Sequence, residues 1–299
     1  MIVHSKPNLF NILFSLKGSI AKRIALRSFM VTVLAALIVL VEGLLPAFFT
    51  HVNATPFTLL GISLSIFMSF RNNACYGRWW EGRQAWGHVI TEVRSFSRAS
   101  AVIPDKALRE TLLKELCGYT HALSAKLRGD DEFEAARNWL SQPRQRYGHN
   151  LCDGILRVIS ERCSKLATDQ IISDWRYVTL EERLQKLSEA QASCERIKTT
   201  PLPFPYTLLF HRTNYIFCIL LPFAMAEPLG WIAPIFTTIV SYTFFGLDAI
   251  GDELEDPFGR EENDLPLDAM VRTIERDILD ALGATELPPS LQPVDYVLS

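Results

Sequence analysis

SFRNNACYGRWWEGRQAWGHV, residues 69–89, decides how the rest of the chain is read. Its twenty-one residues hold Trp79, Trp80 and Trp86, Arg71, Arg78 and Arg83, and the adjacent pair Asn72 and Asn73. They follow without a turn on the apolar run Pro56–Phe70. That run opens on Thr55-Pro56, an N-cap followed by proline at the first helical position. An aromatic belt anchored by arginine at a bilayer surface accounts for the tryptophans. It does not account for the asparagines, or for the helical character that continues from Ile90 to Arg94. A helix that leaves the membrane and carries on into water accounts for all of it. The tryptophans then pack at the junction, and the arginines are held against acids such as those of 252–264.

Composition agrees with such a division. The 299-residue chain is 48% hydrophobic and 21% charged, with a mean hydropathy of +0.13. This predicts a membrane part and a soluble part of comparable size. Residues 251–299 contain 13 Asp or Glu against 3 Lys or Arg, a net of −10. Since the whole chain carries −3, the first 250 residues carry +7. The asymmetry excludes a nucleic-acid binder, which would be basic throughout, and points to charge-selective surfaces. Cysteines 75, 117, 152, 163, 194 and 218 form no C-x-x-C pair, so neither a disulfide framework nor a zinc site is expected.

Phe29–Phe49 is 21 residues with one charge, Glu42, enough to cross about 30 Å of hydrocarbon. Its long basic leader and lack of a cleavage site argue against a signal peptide. The run 56–70, the run 215–226 interrupted by Pro222, and the run 231–247 are shorter, and suit helices that shield one another. The third of the four spans can begin near Tyr206, behind the proline-set entry TTPLPFPY, 199–206. Residues 1–28 carry Lys6, Lys17, Lys22, Arg23 and Arg27 with no acid, whereas 50–55 and 227–230 have no Lys or Arg. By the positive-inside rule both termini and the middle region are cytoplasmic.

The expected organisation is a basic cytosolic N-terminus, 1–28, then two membrane helices within 29–90, the second continuing into the cytosol. A helical cytosolic region follows over 91–203, where Leu108, Leu112 and Leu116, and Leu180, Leu184 and Leu187, recur at helical spacing. Residues 141–150 read as a loop inside it. Two further membrane helices occupy 204–249, and an acidic cytosolic region 250–299, extended from Glu286 onward.

Several candidate sites compete. Ile62, Ile66 and Phe70 are spaced four apart, with Gly61, Ser63, Ser65 and Ser69 beside them. On a helix they form one slowly drifting apolar stripe. It serves core packing or, if several copies surround an axis, a hydrophobic gate of stacked rings that excludes water. The small residues alongside let neighbouring helices approach. GISLS, 61–65, ends on serine where a nucleophile elbow needs glycine, and it lies in a membrane helix. The histidines show no H-x-x-x-H or H-E-x-x-H spacing, so no metal or other cofactor is expected and no enzyme chemistry. Asp252, Glu253, Glu255, Asp256, Glu261, Glu262 and Asp264 form the densest acidic stretch, a solvated surface or a cation-attracting mouth. No internal repeat is found, against the inverted-repeat design of many transporters.

RNNACYGRWWEGRQAWG, 71–87, and DELEDPFGREENDLPLD, 252–268, together resemble the signatures of the bestrophin family in its prokaryotic form. The structural signature comprises Arg71, Asn72, Asn73, Arg78, Trp79, Trp80, Glu81, Arg83 and Trp86. The resemblance implies an all-α membrane protein with four transmembrane helices per subunit, a helical cytosolic part, and a homopentameric ring around a central pore. The implied function is a passive ion channel of a bacterial inner membrane, with itself, monovalent ions and the bilayer as partners. Prokaryotic relatives tend to pass monovalent cations, sodium in particular, and animal relatives are calcium-activated anion channels. Arg78 lies eight positions after Phe70, the spacing of the family's neck, which puts Ile62, Ile66 and Phe70 on the neck positions. Leu202 falls near the family's cytosolic constriction. Animal members follow PFG with a nearly unbroken aspartate run, whereas here Arg260 and Asn263 interrupt it, so calcium gating is not expected. The reading is a sodium-passing channel with a hydrophobic neck. Its alternatives are a chloride channel of the same fold and a membrane-anchored scaffold that conducts nothing.

Overall fold

The structure, a computed structural model, describes residues 1–3, 18–44 and 53–299. Among them the chain is helical, with no strand beyond isolated bridges at Ile2–Val297 and Val294–Val297. The ten α-helices of the described residues are α1 (Ala21–Leu44), α2 (Thr55–Ala99), α3 (Lys106–Arg128), α4 (Glu132–Ala136), α5 (Arg144–Tyr147), α6 (Leu151–Thr168), α7 (Asp174–Thr199), α8 (Phe204–Leu229), α9 (Ala233–Glu255) and α10 (Leu267–Ala281). They fall into two compact units. One holds α1, α8, α9 and α2 up to Trp79; the other holds α2 from Trp80, α3 to α7, α10 and the C-terminal residues.

In the first unit, Ile24 and Val31 of α1, Leu64 and Met68 of α2, Phe210, Phe217 and Leu221 of α8, and Phe245 and Ala249 of α9 share one buried cluster. Small and hydroxyl residues bring α1 and α9 together: Ala35 is fully buried, and the Thr32 and Thr238 hydroxyls meet at 2.7 Å. Gly61 serves the same end on α2, where a Cβ would come within 3.1 Å of the Phe217 ring. Glycine costs a helix about 1 kcal/mol against alanine, a cost offset where ring and backbone must touch. Two stretches, 21–44 and 204–255, are long and apolar enough to cross a membrane.

The first apolar helix starts earlier than the expected span 29–49. α1 already begins at Ala21, because Lys22, Arg23 and Arg27 lower the hydropathy without weakening the helix, while 45–49 lie outside the described residues. α8 runs from Phe204, with Pro205 in its first turn and Pro222 and Pro228 inside it, each removing one backbone donor. α9 extends to Glu255, beyond the apolar run that ends at Leu247. α2 is a single unbroken helix of 45 residues, so RNNACYGRWWEG lies in helix throughout.

The second unit is built on α3, whose Leu112, Leu113, Leu116, Cys117, Tyr119 and Leu123 are all buried. Asp105 caps its N-terminus by accepting from the Ala107 and Leu108 amides, and Gly129 in the left-handed region closes its C-terminus. Buried Glu115 gathers Arg162 at 2.8 Å and the Tyr147 hydroxyl at 3.2 Å. Within the expected loop 141–150, Arg144–Tyr147 form one helical turn. Gly154 allows α6 to press on it, since a Cβ there would lie 1.8 Å from the Tyr147 carbonyl oxygen.

Candidate functional site

The apolar first part of α2, up to Phe70, has two faces of opposite character. Leu64, Met68, Arg71 and Cys75, spaced four, three and four apart, are buried in the chain's own core. On the opposite side Ile62, Ile66 and Phe70 are 55%, 52% and 63% exposed. Ser65 and Ser69 beside them are exposed as well. The stripe therefore does not pack in the interior of the chain. At 1.5 Å rise per residue its three side chains cover a column about 12 Å long. Such a column has no donors or acceptors to replace an ion's water.

Directly behind Phe70 the polarity reverses. Arg71 is 0% exposed and its guanidinium binds three acids on α9. Nη1 donates to Asp248 Oδ1 at 3.0 Å and Nη2 to Asp252 Oδ1 at 2.5 Å, and Nη2 lies 3.8 Å from Glu255 Oε2. The cation also sits over the Phe210 ring at 5.3 Å. His211 Nδ1 approaches the other Asp248 oxygen at 3.0 Å. Asn72 donates through Nδ2 to the Leu247 carbonyl at 3.0 Å, and Arg78 through Nε to the Glu255 carbonyl at 3.1 Å.

Gly251 is what lets the two helices meet there. A Cβ at that position would come within 2.7 Å of Asn72 Oδ1 and 2.8 Å of Arg71 Nη1. Arg71 and Asn72 of the signature thus form an inter-helix clamp onto a glycine. The Leu202 amide, at the entry to α8, donates to Glu255 Oε1 at 3.1 Å, and its side chain is half-buried. Arg23 faces Glu253 at 3.7 Å. Asp252, Glu253 and Glu255 are therefore committed to ion pairs within the unit, and Asp256 is exposed.

Two residues of the clamp were not among the sequence candidates, Asp248 and His211. The signal for Asp248 was its place one turn before Asp252 and two before Glu255, which puts all three acids on one face of α9.

In the second unit the remaining signature residues have separate tasks. Trp86 is fully buried, Trp80 and Arg83 are exposed, and Glu81 pairs with Arg196. Gly82 receives the Phe258 ring, which a Cβ would meet at 3.1 Å, with Pro257 at 3.3 Å. Gly82 of the first signature and Pro257-Phe258 of the second thus belong to one contact. The acidic turn that follows is closed by Asp264, buried, accepting from the Glu261 amide at 2.7 Å. Arg260 pairs with Asp130 at 2.5 Å, and Glu261 and Glu262 face solvent. Trp79, in the first unit, stacks on Tyr76 at 6.3 Å, and Asn73 is exposed on α2.

The family described as Bacterial/Fungal Bestrophin protein matches residues 1–280. A protein of Mesorhizobium japonicum named voltage-dependent anion channel-forming protein mll4386 is 41% identical over 298 residues, covering 99% of this chain and 96% of its own. Voltage-dependent anion channel-forming protein YneE of Escherichia coli K12 is 35% identical over 301 residues, covering 98% of each. The crystal structure of a bacterial bestrophin homologue from Klebsiella pneumoniae is similar with a TM-score of 0.83 at 34% identity, covering 88% of this chain and all of that one.

Proposed function

The chain belongs to the bacterial and fungal bestrophin family, and on that premise we propose that it forms a passive ion channel in a bacterial inner membrane. Four spans, α1, the first part of α2, α8 and α9, place both termini in the cytoplasm. Five copies surround the pore, each turning the Ile62, Ile66 and Phe70 stripe to the axis. Stacked apolar rings dewet when narrow and pass hydrated ions when widened, so the neck is the gate. Leu202, tied to Glu255 at the entry to α8, narrows the cytosolic exit. The observation that carries the reading is that the stripe is exposed although it lies on an apolar helix whose other face is buried.

Monovalent cations, sodium among them, are the proposed cargo, supported by the net −10 of residues 251–299 and the exposed Asp256, Glu261 and Glu262. An anion-selective pore of the same fold is the second reading. It is favoured by the names of the relatives and by the ion pairs that engage Asp252, Glu253 and Glu255. Hydrophobic rings carry no sign and are compatible with either.

The neck is tested by Ile66→Ala in single-channel recordings. Widening and softening the middle ring raises open probability relative to the unaltered protein. Unchanged conductance and gating reject the neck. Light scattering of the detergent-solubilised protein checks the ring, which requires a closed oligomer.

A further inference from the structure

Cys117 and His121 stand one helical turn apart on α3, on the side where α10 presents Glu275. One ligand atom from each, the thiol sulfur, a ring nitrogen and a carboxylate oxygen, lie within 4.8 Å of one another. His121 Nε2 is 2.7 Å from Glu275 Oε1, and the imidazole stacks on Trp139 at 5.7 Å, which fixes the plane of the ring. Arg272 Nε lies 2.5 Å from the other carboxylate oxygen, Oε2, so Oε1 is the one turned to the cluster. Cys117 is fully buried behind them, while His121 and Glu275 line a cavity of about 470 Å³. On the cavity wall Arg128 and Asp268 neutralise each other at 2.5 Å.

We propose that Cys117, His121 and Glu275 form a binding site for a borderline-soft divalent cation of the Zn²⁺ type, clipping α10 to α3. Thiolate, imidazole and carboxylate form the mixed donor set that such ions select, and an all-oxygen ion such as Ca²⁺ does not. Three protein ligands leave a fourth position, here toward the cavity, for water. Arg272 holds the carboxylate from behind as an outer partner that orients the ligand. The thiolate and carboxylate charges balance a divalent ion.

Burial holds the Cys117 thiol well above its ordinary range, and the nearby Glu275 charge adds to this while Arg272 opposes it. The metal must displace that proton, so affinity rises with pH. Burial also opposes ionisation of Glu275, but His121 and Arg272 outweigh it and hold the carboxyl below its usual range. The site does not depend on the channel reading, and stands or falls by itself.

The experiment uses the full chain purified in detergent and stripped with a chelator, with Co²⁺ as the probe. Thiolate-bound Co²⁺ gives a near-ultraviolet charge-transfer band. The band is expected to saturate at a single Co²⁺ per chain, to be displaced by Zn²⁺, and to disappear in Cys117→Ser. His121→Gln is expected to weaken Co²⁺ binding by about tenfold or more, and serves if the cysteine variant does not fold. A band of the same strength in Cys117→Ser, unaltered affinity in His121→Gln, or no band in the unaltered protein overturns the proposal.

Discussion

Replacing Arg71 with methionine removes the guanidinium that pairs with both Asp248 and Asp252 while keeping a side chain of similar length. Asp248, 0% exposed like Arg71, then keeps only His211 beside it. Removing one member of a buried pair costs about 3–5 kcal/mol, most of it the penalty of the charge left behind. Asp248→Asn costs less, about 1–3 kcal/mol, because Asp252 at 2.5 Å still receives the guanidinium. The double variant Arg71→Met with Asp248→Asn removes the charge and its partner together. Its cost falls short of the sum of the two single changes by about 1–3 kcal/mol. Unfolding of the detergent-solubilised protein by added dodecyl sulfate, followed through tryptophan fluorescence, measures all three. Arg71→Met within about 0.5 kcal/mol of the unaltered protein, or additive single changes, would refute the clamp.

Gly251→Ala pushes a methyl to 2.7 Å from Asn72 Oδ1 and 2.8 Å from Arg71 Nη1, so the clamp must open. A loss of about 1–3 kcal/mol is expected in the same unfolding assay. Gly154→Ala is harsher, because its Cβ meets a backbone oxygen at 1.8 Å that no side-chain rotation relieves, and a lower thermal midpoint with little folded protein is expected. Glu275 titrates lower in the fold than in the unfolded chain, since His121 and Arg272 outweigh its burial. Its contribution is present above the ordinary glutamate range and lost as the pH falls through the depressed folded value. Thermal midpoints measured from neutral to acid pH should therefore fall less steeply in Glu275→Gln.

How far the sequence could be read depended on whether a feature repeats locally. The amphipathic runs of α3 and α7 and the passage of α2 from apolar to aromatic and basic are local patterns, and the helices follow them. The placing of Arg71 against Asp252 and Glu255, within the acidic stretch 252–264, was legible from charge alone. Asp248 escaped because hydropathy ends the last span at Leu247, whereas α9 continues as helix to Glu255 and carries the acids with it. The single turn Arg144–Tyr147 escaped because one turn has no period to detect. The grouping of Cys117 and His121 with Glu275 leaves no local motif, since Glu275 lies 154 residues from His121.

The most direct test of the channel is a planar-bilayer recording from the purified full chain under a sodium chloride gradient, with voltage swept to find the reversal potential. The account predicts stepwise currents that reverse near the sodium equilibrium potential. Reversal near the chloride value keeps the pore and replaces its ion. A closed ring of intact subunits that passes no current at any voltage, even with Ile66→Ala, contradicts the account.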